Sequence, residues 1–133
     1  MPYQINRYNG DILVTVEDGT TSADKTTLTL VGRNYAGYGE IQNENFVFLL
    51  ENFANPSEPK SPLSGQIWYK SSEKKLKFYT GDMWKTTGGA EVGPDQPLGL
   101  ATGDFWYNTT SRQLFTRDNE AGKFILKIGR AHV

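Results

Sequence analysis

Apolar and polar residues alternate in short runs over the first thirty positions. Tyr3 to Tyr8 and Asp11 to Val16 flank Asn9-Gly10, a pair that favours a type I′ turn because both of its residues tolerate positive φ. Asp18-Gly19 marks a second turn. Thr26 to Val31 then alternates as a half-buried strand does. After the glycines at 32, 37 and 39 the period changes. Phe46, Leu49, Leu50 and Phe53 stand at i, i+3, i+4 and i+7, which places them on one helical face expected to be buried. Glu40 and Glu44 suit the positive end of that helix, and Asn55-Pro56 stops it, so the pattern predicts a helix from about Gly39 to Ala54.

Pro56 to Pro62 contains three prolines and is expected to run extended as a linker between an N-terminal β-hairpin/helix unit (1–55) and a C-terminal β region. That region carries an internal repeat. Gly65 to Phe78 and Gly103 to Thr116 align without a gap at an offset of 38, matching Gly, Trp, Tyr, paired Ser or Thr, and Leu. Pro62-Leu63 and Pro97-Leu98 precede the two copies. Each copy reads as strand, polar turn, strand, turn and a closing ring, Trp84 in the first and Phe124 in the second. A lone hairpin is barely stable in water, so each copy is expected to cover a neighbour's apolar face. The predicted fold is α+β and mostly β: an N-terminal hairpin, one further strand and a helix, followed by hairpin repeat 1 (63–88) and hairpin repeat 2 (97–127), both Trp-containing. The expected core of the repeats is Trp68, Leu76, Trp84, Trp106, Leu114 and Phe124.

Composition narrows the chemistry. The chain has 133 residues, a net charge of -1 and 22% charged residues, without the clustered Lys and Arg of a nucleic-acid surface. Lys74, Lys75 and Lys77 form the one dense basic stretch, beside Glu73, and read as a solvated face. There is no cysteine, which excludes disulfides and thiolate chemistry. The single histidine is His132, so no histidine triad or histidine-rich metal site can be built, and the many Ser and Thr hydroxyls lack a base. No carboxylate pair stands out for glycoside hydrolysis. No enzyme activity, cofactor or metal is therefore expected. No run is apolar enough to insert in a membrane, and the start Met1-Pro2-Tyr3-Gln4 has no signal-peptide character.

Aromatic residues make up 13% of a chain whose hydrophobic fraction is only 37%, a balance that suits small cores built from large rings. The tryptophans could stack sugars, but their matching places in the two copies favour a structural role. Tyr69 and Tyr107 alternate to the opposite face from their Trp neighbours and are the candidates for glycan or subunit contact.

The chain also resembles a known family. Tyr3-Gln4-Ile5-Asn6, Val16 to Thr20, the run Val31-Gly32-Arg33-Asn34-Tyr35-Ala36-Gly37-Tyr38-Gly39-Glu40, and Asn43 to Phe46 with Leu49 to Ala54 look like the N-terminal region of virion structural proteins from T4-like phages of marine cyanobacteria. The Gly-x-x-Trp-Tyr hairpins look like repeats of phage tail-fibre proteins. The resemblance implies a virion component made in a bacterial host cytoplasm, in a tail fibre or related appendage. It also implies contacts with other virion proteins and assembly as a homo-oligomer, a trimer by fibre analogy. A carbohydrate-binding module for host surface glycans and a capsid decoration protein are the alternatives. Ile128 to Val133 matches one reading frame of a common short-read sequencing adapter. It is expected to be a non-native tail, with the native protein continuing beyond Lys127.

Overall fold

The computed structural model describes residues 1–126. The fold is α+β and mostly β, with eleven short strands and one helix among the described residues. The chain divides into two compact units, 1–81 and 82–133.

The first unit opens with a hairpin of β1 (Tyr3–Asn6) and β2 (Ile12–Val16), paired antiparallel with Tyr3 opposite Val16. Its turn differs from the type I′ expectation. Gly10 alone has positive φ, its N–H donates to the Arg7 carbonyl at 3.0 Å, and the register shifts after Ile5. This is a type I turn closed by a left-handed glycine, the next most common hairpin solution. Val16 is the most deeply buried side chain of the unit.

β3 (Thr21–Ser22) pairs with β4 (Leu30–Val31), a much shorter ladder than the strand expected over Thr26 to Val31. The cause is local. The buried Thr26 hydroxyl bonds both the N–H and the carbonyl of Leu28 at 3.0 Å, and so competes with a ladder. At the end of β4, Gly32 lies against β2's exit: a Cβ there would sit 2.1 Å from the Glu17 carbonyl oxygen.

Helix α1 (Tyr38–Leu50) is shorter than expected. It ends before Asn55-Pro56 because Asn52 takes a left-handed conformation, with Asn52 N–H donating to Leu49 O (3.1 Å) and Phe53 N–H to Phe48 O (2.8 Å). These are the two bonds of a Schellman cap. The helix docks through an amide. Asn45 is buried; its Nδ2 donates to Thr29 O at 2.8 Å and its Oδ1 accepts from Thr29 N at 3.3 Å, as a strand neighbour would. The expected packing face is not covered: Phe46 is 58% exposed, Leu49 is exposed and Leu50 is 81% exposed, while Phe53 is half-buried. Val47 and Phe48 are also exposed, so this half of the helix is apolar all round. Periodicity therefore could not identify the docked side.

Residues 56–62 do not separate two domains. Thr27 Oγ1 donates to Lys60 O (2.8 Å), Ser61 Oγ to Asp24 O (2.9 Å) and Gln66 Nε2 to Thr27 Oγ1 (2.9 Å), which ties the proline-rich stretch and the first Trp hairpin to the N-terminal strands. That hairpin is β5 (Ile67–Lys70) and β6 (Lys75–Tyr79).

The second unit contains β7 (Trp84–Thr86), then a four-stranded sheet in the order β11-β10-β9-β8. Its strands are β8 (Ala90–Gly93), β9 (Phe105–Asn108), β10 (Gln113–Asp118) and β11 (Lys123–Leu126). β9 to β11 are antiparallel, whereas β8 runs parallel to β9 with Gly93 opposite Asn108. The tail from Ile128 to Val133 lies outside the described residues.

Replacing Gly32 with Ala should cost at least about 2 kcal/mol, because backbone must move to admit the methyl group. A urea denaturation midpoint unchanged from the parent would contradict that crowding.

Candidate functional site

Two arrangements could carry function: the sockets that hold Trp68 and Trp106, and a groove lined by tyrosines in the first unit.

Trp68 and Trp106 are each 4% exposed. The Trp68 Nε1–H donates to Asn55 O at 3.0 Å, and the Trp106 Nε1–H donates to Gly93 O at 3.0 Å. The same carbonyls accept a second bond, from Ser71 N (3.4 Å) and Thr109 N (3.1 Å). Asn55 forms a parallel bridge with Lys70, as Gly93 pairs in parallel with Asn108. Every member of the first set lies 38 positions before its counterpart.

Other bonds keep that offset. Gly65 N donates to Tyr79 O and Gly103 N to Arg117 O, at 2.7 and 2.9 Å. Leu63 N is received by Gln66 Oε1 at 3.1 Å, and Ala101 N by Asp104 Oδ2 at 2.9 Å. Lys74 and Arg112 both take positive φ, as do Ser61 and Gly99. The correspondence thus starts upstream of the hairpins, and it pairs Pro56 with Pro94 and Pro59 with Pro97. At this offset Pro62-Leu63 falls opposite Leu100-Ala101 and not opposite Pro97-Leu98. The parallel segment before each hairpin, a single bridge at Asn55 in the first copy and β8 in the second, left no signal in the sequence except the two prolines that follow it.

Strand register decides which residues join the indoles. Lys77 lies opposite Trp68, and Phe115 opposite Trp106. Phe115 stacks on Trp106 with centroids 5.1 Å apart, and Phe124 meets it edge-on at 5.2 Å. Lys77 is buried in the first copy, with Nζ 3.7 Å from Glu73 Oε2. Leu76 is not a core residue: it lies opposite Tyr69, on the other face, and is 38% exposed. Leu114 likewise lies opposite Tyr107 and is half-buried, as are Trp84 and Phe124. Tyr69 is half-buried and Tyr107 exposed.

In the second unit Asp104 forms an ion pair with Lys85. Burial pushes the Asp104 carboxyl up, but the Lys85 hydrogen bond, the Ala101 N–H and the Lys85 charge outweigh it and hold the group below its ordinary value.

The tyrosine groove, about 870 Å³, is lined by Tyr3 of β1, Arg33 to Tyr35 of the loop after β4, and Tyr38 and Gln42 of α1. The Arg33 guanidinium lies over the Tyr3 ring at 5.0 Å, and its Nε donates to Met1 O at 3.0 Å.

Among the described residues, no group of three or more His, Asp or Glu side chains could hold a metal ion, and no helix is long and apolar enough to cross a membrane. The chain matches no known protein family, no curated protein and no solved structure.

Trp106→Ala should destabilise the second unit by about 3–5 kcal/mol. Trp106→Phe should cost less, because Gly93 O keeps its bond from Thr109 and only one hydrogen bond, worth about 1 kcal/mol, is lost along with some packing. Equal melting temperatures for the two variants would contradict a socket built on ring burial. The Asp104 contribution has a definite sign. A carboxyl held below its unfolded value of about 3.9 stabilises fully above that value and loses its effect as pH falls through the folded value. Asp104→Asn should therefore flatten the acid limb of the stability curve, as followed by urea titration at a series of pH values.

Proposed function

We propose that the chain is a non-enzymatic structural component of a tailed-phage virion, in a tail fibre or related appendage. The carrying observation is the matched pair of sockets: two buried indoles, each hydrogen-bonded to the carbonyl of a parallel strand segment upstream, at one constant offset. Indoles held this way serve as pegs inside small β modules and present no open ring face to a ligand. Serial modules of this kind extend a chain without a large single core, which suits an appendage. The sequence resemblance to cyanophage virion proteins points the same way.

The first unit's surface supports assembly with further copies of the chain. Phe46, Leu49 and Leu50 are exposed beside an apolar groove of about 490 Å³ whose lining includes Leu49, Phe53, Leu13 and Leu28. An apolar face of this kind marks a protein contact. The occupant is a second copy of α1. The helix carries Glu40 and Glu44, with Glu51 at its C-cap, and no basic residue in its last turn, whereas Arg7 stands at the groove. A homotrimer is the assembly that fibre geometry favours.

Light scattering of the full chain should give a mass near three times 14.9 kDa. Leu50→Glu, at an already exposed position, should reduce it to one copy without loss of secondary structure. A strictly monomeric parent would count against the fibre reading. Immunogold labelling of virions should decorate the tail; labelling confined to the head would favour a capsid decoration protein instead.

A further inference from the structure

The loop Arg33 to Tyr38, the most distinctive run of the sequence, takes no part in the Trp sockets or the helix contact. It forms one wall of the tyrosine groove instead. The groove's floor shares Ile5 and Leu30 with the apolar groove beside Leu49, and its distinct chemistry lies in the rings and polar groups of its walls. Three phenol rings reach it, Tyr3 from β1 and Tyr35 and Tyr38 from the loop and the start of α1, and Tyr38 is 62% exposed. Between them stand two amides, Asn34 and Gln42, and one guanidinium, Arg33, which is the only charged side chain in the lining.

The walls are braced by backbone contacts. Arg33 O accepts from Gly19 N at 2.6 Å, and Gly32 N donates to Thr20 O at 2.8 Å. Asn34 holds a positive φ of 60°, which turns the loop toward the helix. Arg33 is held by its Nε bond and by the Tyr3 ring, and no carboxylate among the described residues pairs with it. Its two terminal nitrogens therefore keep the donor fork that receives a carboxylate in two parallel bonds.

We propose that this groove binds an acidic oligosaccharide, with pyranose rings against the faces of Tyr35 and Tyr38 and a sugar carboxylate on Arg33, which the Tyr3 ring backs. The axial C–H groups of a pyranose give it an apolar face that suits a phenol ring, and its hydroxyls suit planar amides such as Asn34 and Gln42. A volume of about 870 Å³ falls in the range of preformed small-molecule sites, ~300–1,000 Å³, and admits a short oligosaccharide. Because the groove's outer residues are exposed, the two ends of a longer glycan can leave it.

The inference stands apart from the structural role proposed above and can fail alone. Saturation-transfer NMR and calorimetry on the full chain would use tetragalacturonate, a hyaluronan tetrasaccharide and sialyllactose, with neutral cellotetraose as the comparison. At least one acidic sugar should bind about tenfold more tightly than cellotetraose, the scale expected of one charge-assisted pair. Tyr38→Ala, at an exposed ring, should weaken that binding by about tenfold or more. Arg33→Gln should abolish the preference for the acidic sugar while leaving neutral binding in place. Absence of binding by every acidic probe at millimolar concentration would overturn the proposal. So would binding that Tyr38→Ala leaves unchanged, or a change in solution mass on Tyr38→Ala, which would make the groove a protein contact.

Discussion

The bond from an indole N–H to a main-chain carbonyl is the constraint on which both units depend. Burying a tryptophan supplies more apolar contact than any other single side chain, but its N–H must find an acceptor. Here the acceptor comes from the segment that runs parallel to the Trp-bearing strand. That geometry fixes the upstream segment in place. It also settles which face of each hairpin turns inward, and with it the positions of Phe115, Lys77 and Phe124.

Much of this was legible in the sequence, and the failures are physical in origin. The mostly β fold with one helix followed from alternation and turn residues. The misplacement of Leu76 came from parity: in a ladder, a shift of one residue exchanges faces, and the turn's left-handed Lys74 sets that register. The helix end was misjudged because a left-handed asparagine stopped it before the proline could. Its buried face was missed for a deeper reason. Hydrophobic period assumes that the covered side is the apolar one, and here a polar amide, Asn45, makes the closest attachment. The tyrosine groove was visible only as an unexplained run of residues, since its walls come from segments distant along the chain.

The resulting division of labour is clear at the level of chemistry. Rings that are buried and bonded, Trp68 and Trp106, hold the modules together. Aliphatic residues on an uncovered helix are suited to another protein, the basis of the proposed assembly. Phenol rings beside amides and a guanidinium that pairs with no carboxylate among the described residues are suited to a soluble polar ligand, the basis of the proposed glycan groove. In a chain with few charges and little aliphatic core, placement of aromatic residues does most of the sorting between inside, interface and binding surface.

The upstream origin of each acceptor carbonyl bears on how such chains can be cut and recombined. A splice placed in the proline stretch, where the sequence most invites one, would part a tryptophan from the carbonyl that receives it. The natural seams lie earlier, just before Asn52, whose carbonyl accepts from Tyr69 N–H, and just before its counterpart Ala90. Chimaeras joined at those seams would carry each ring together with its acceptor. Chimaeras joined at the prolines would transplant a hairpin whose central side chain has lost its anchor.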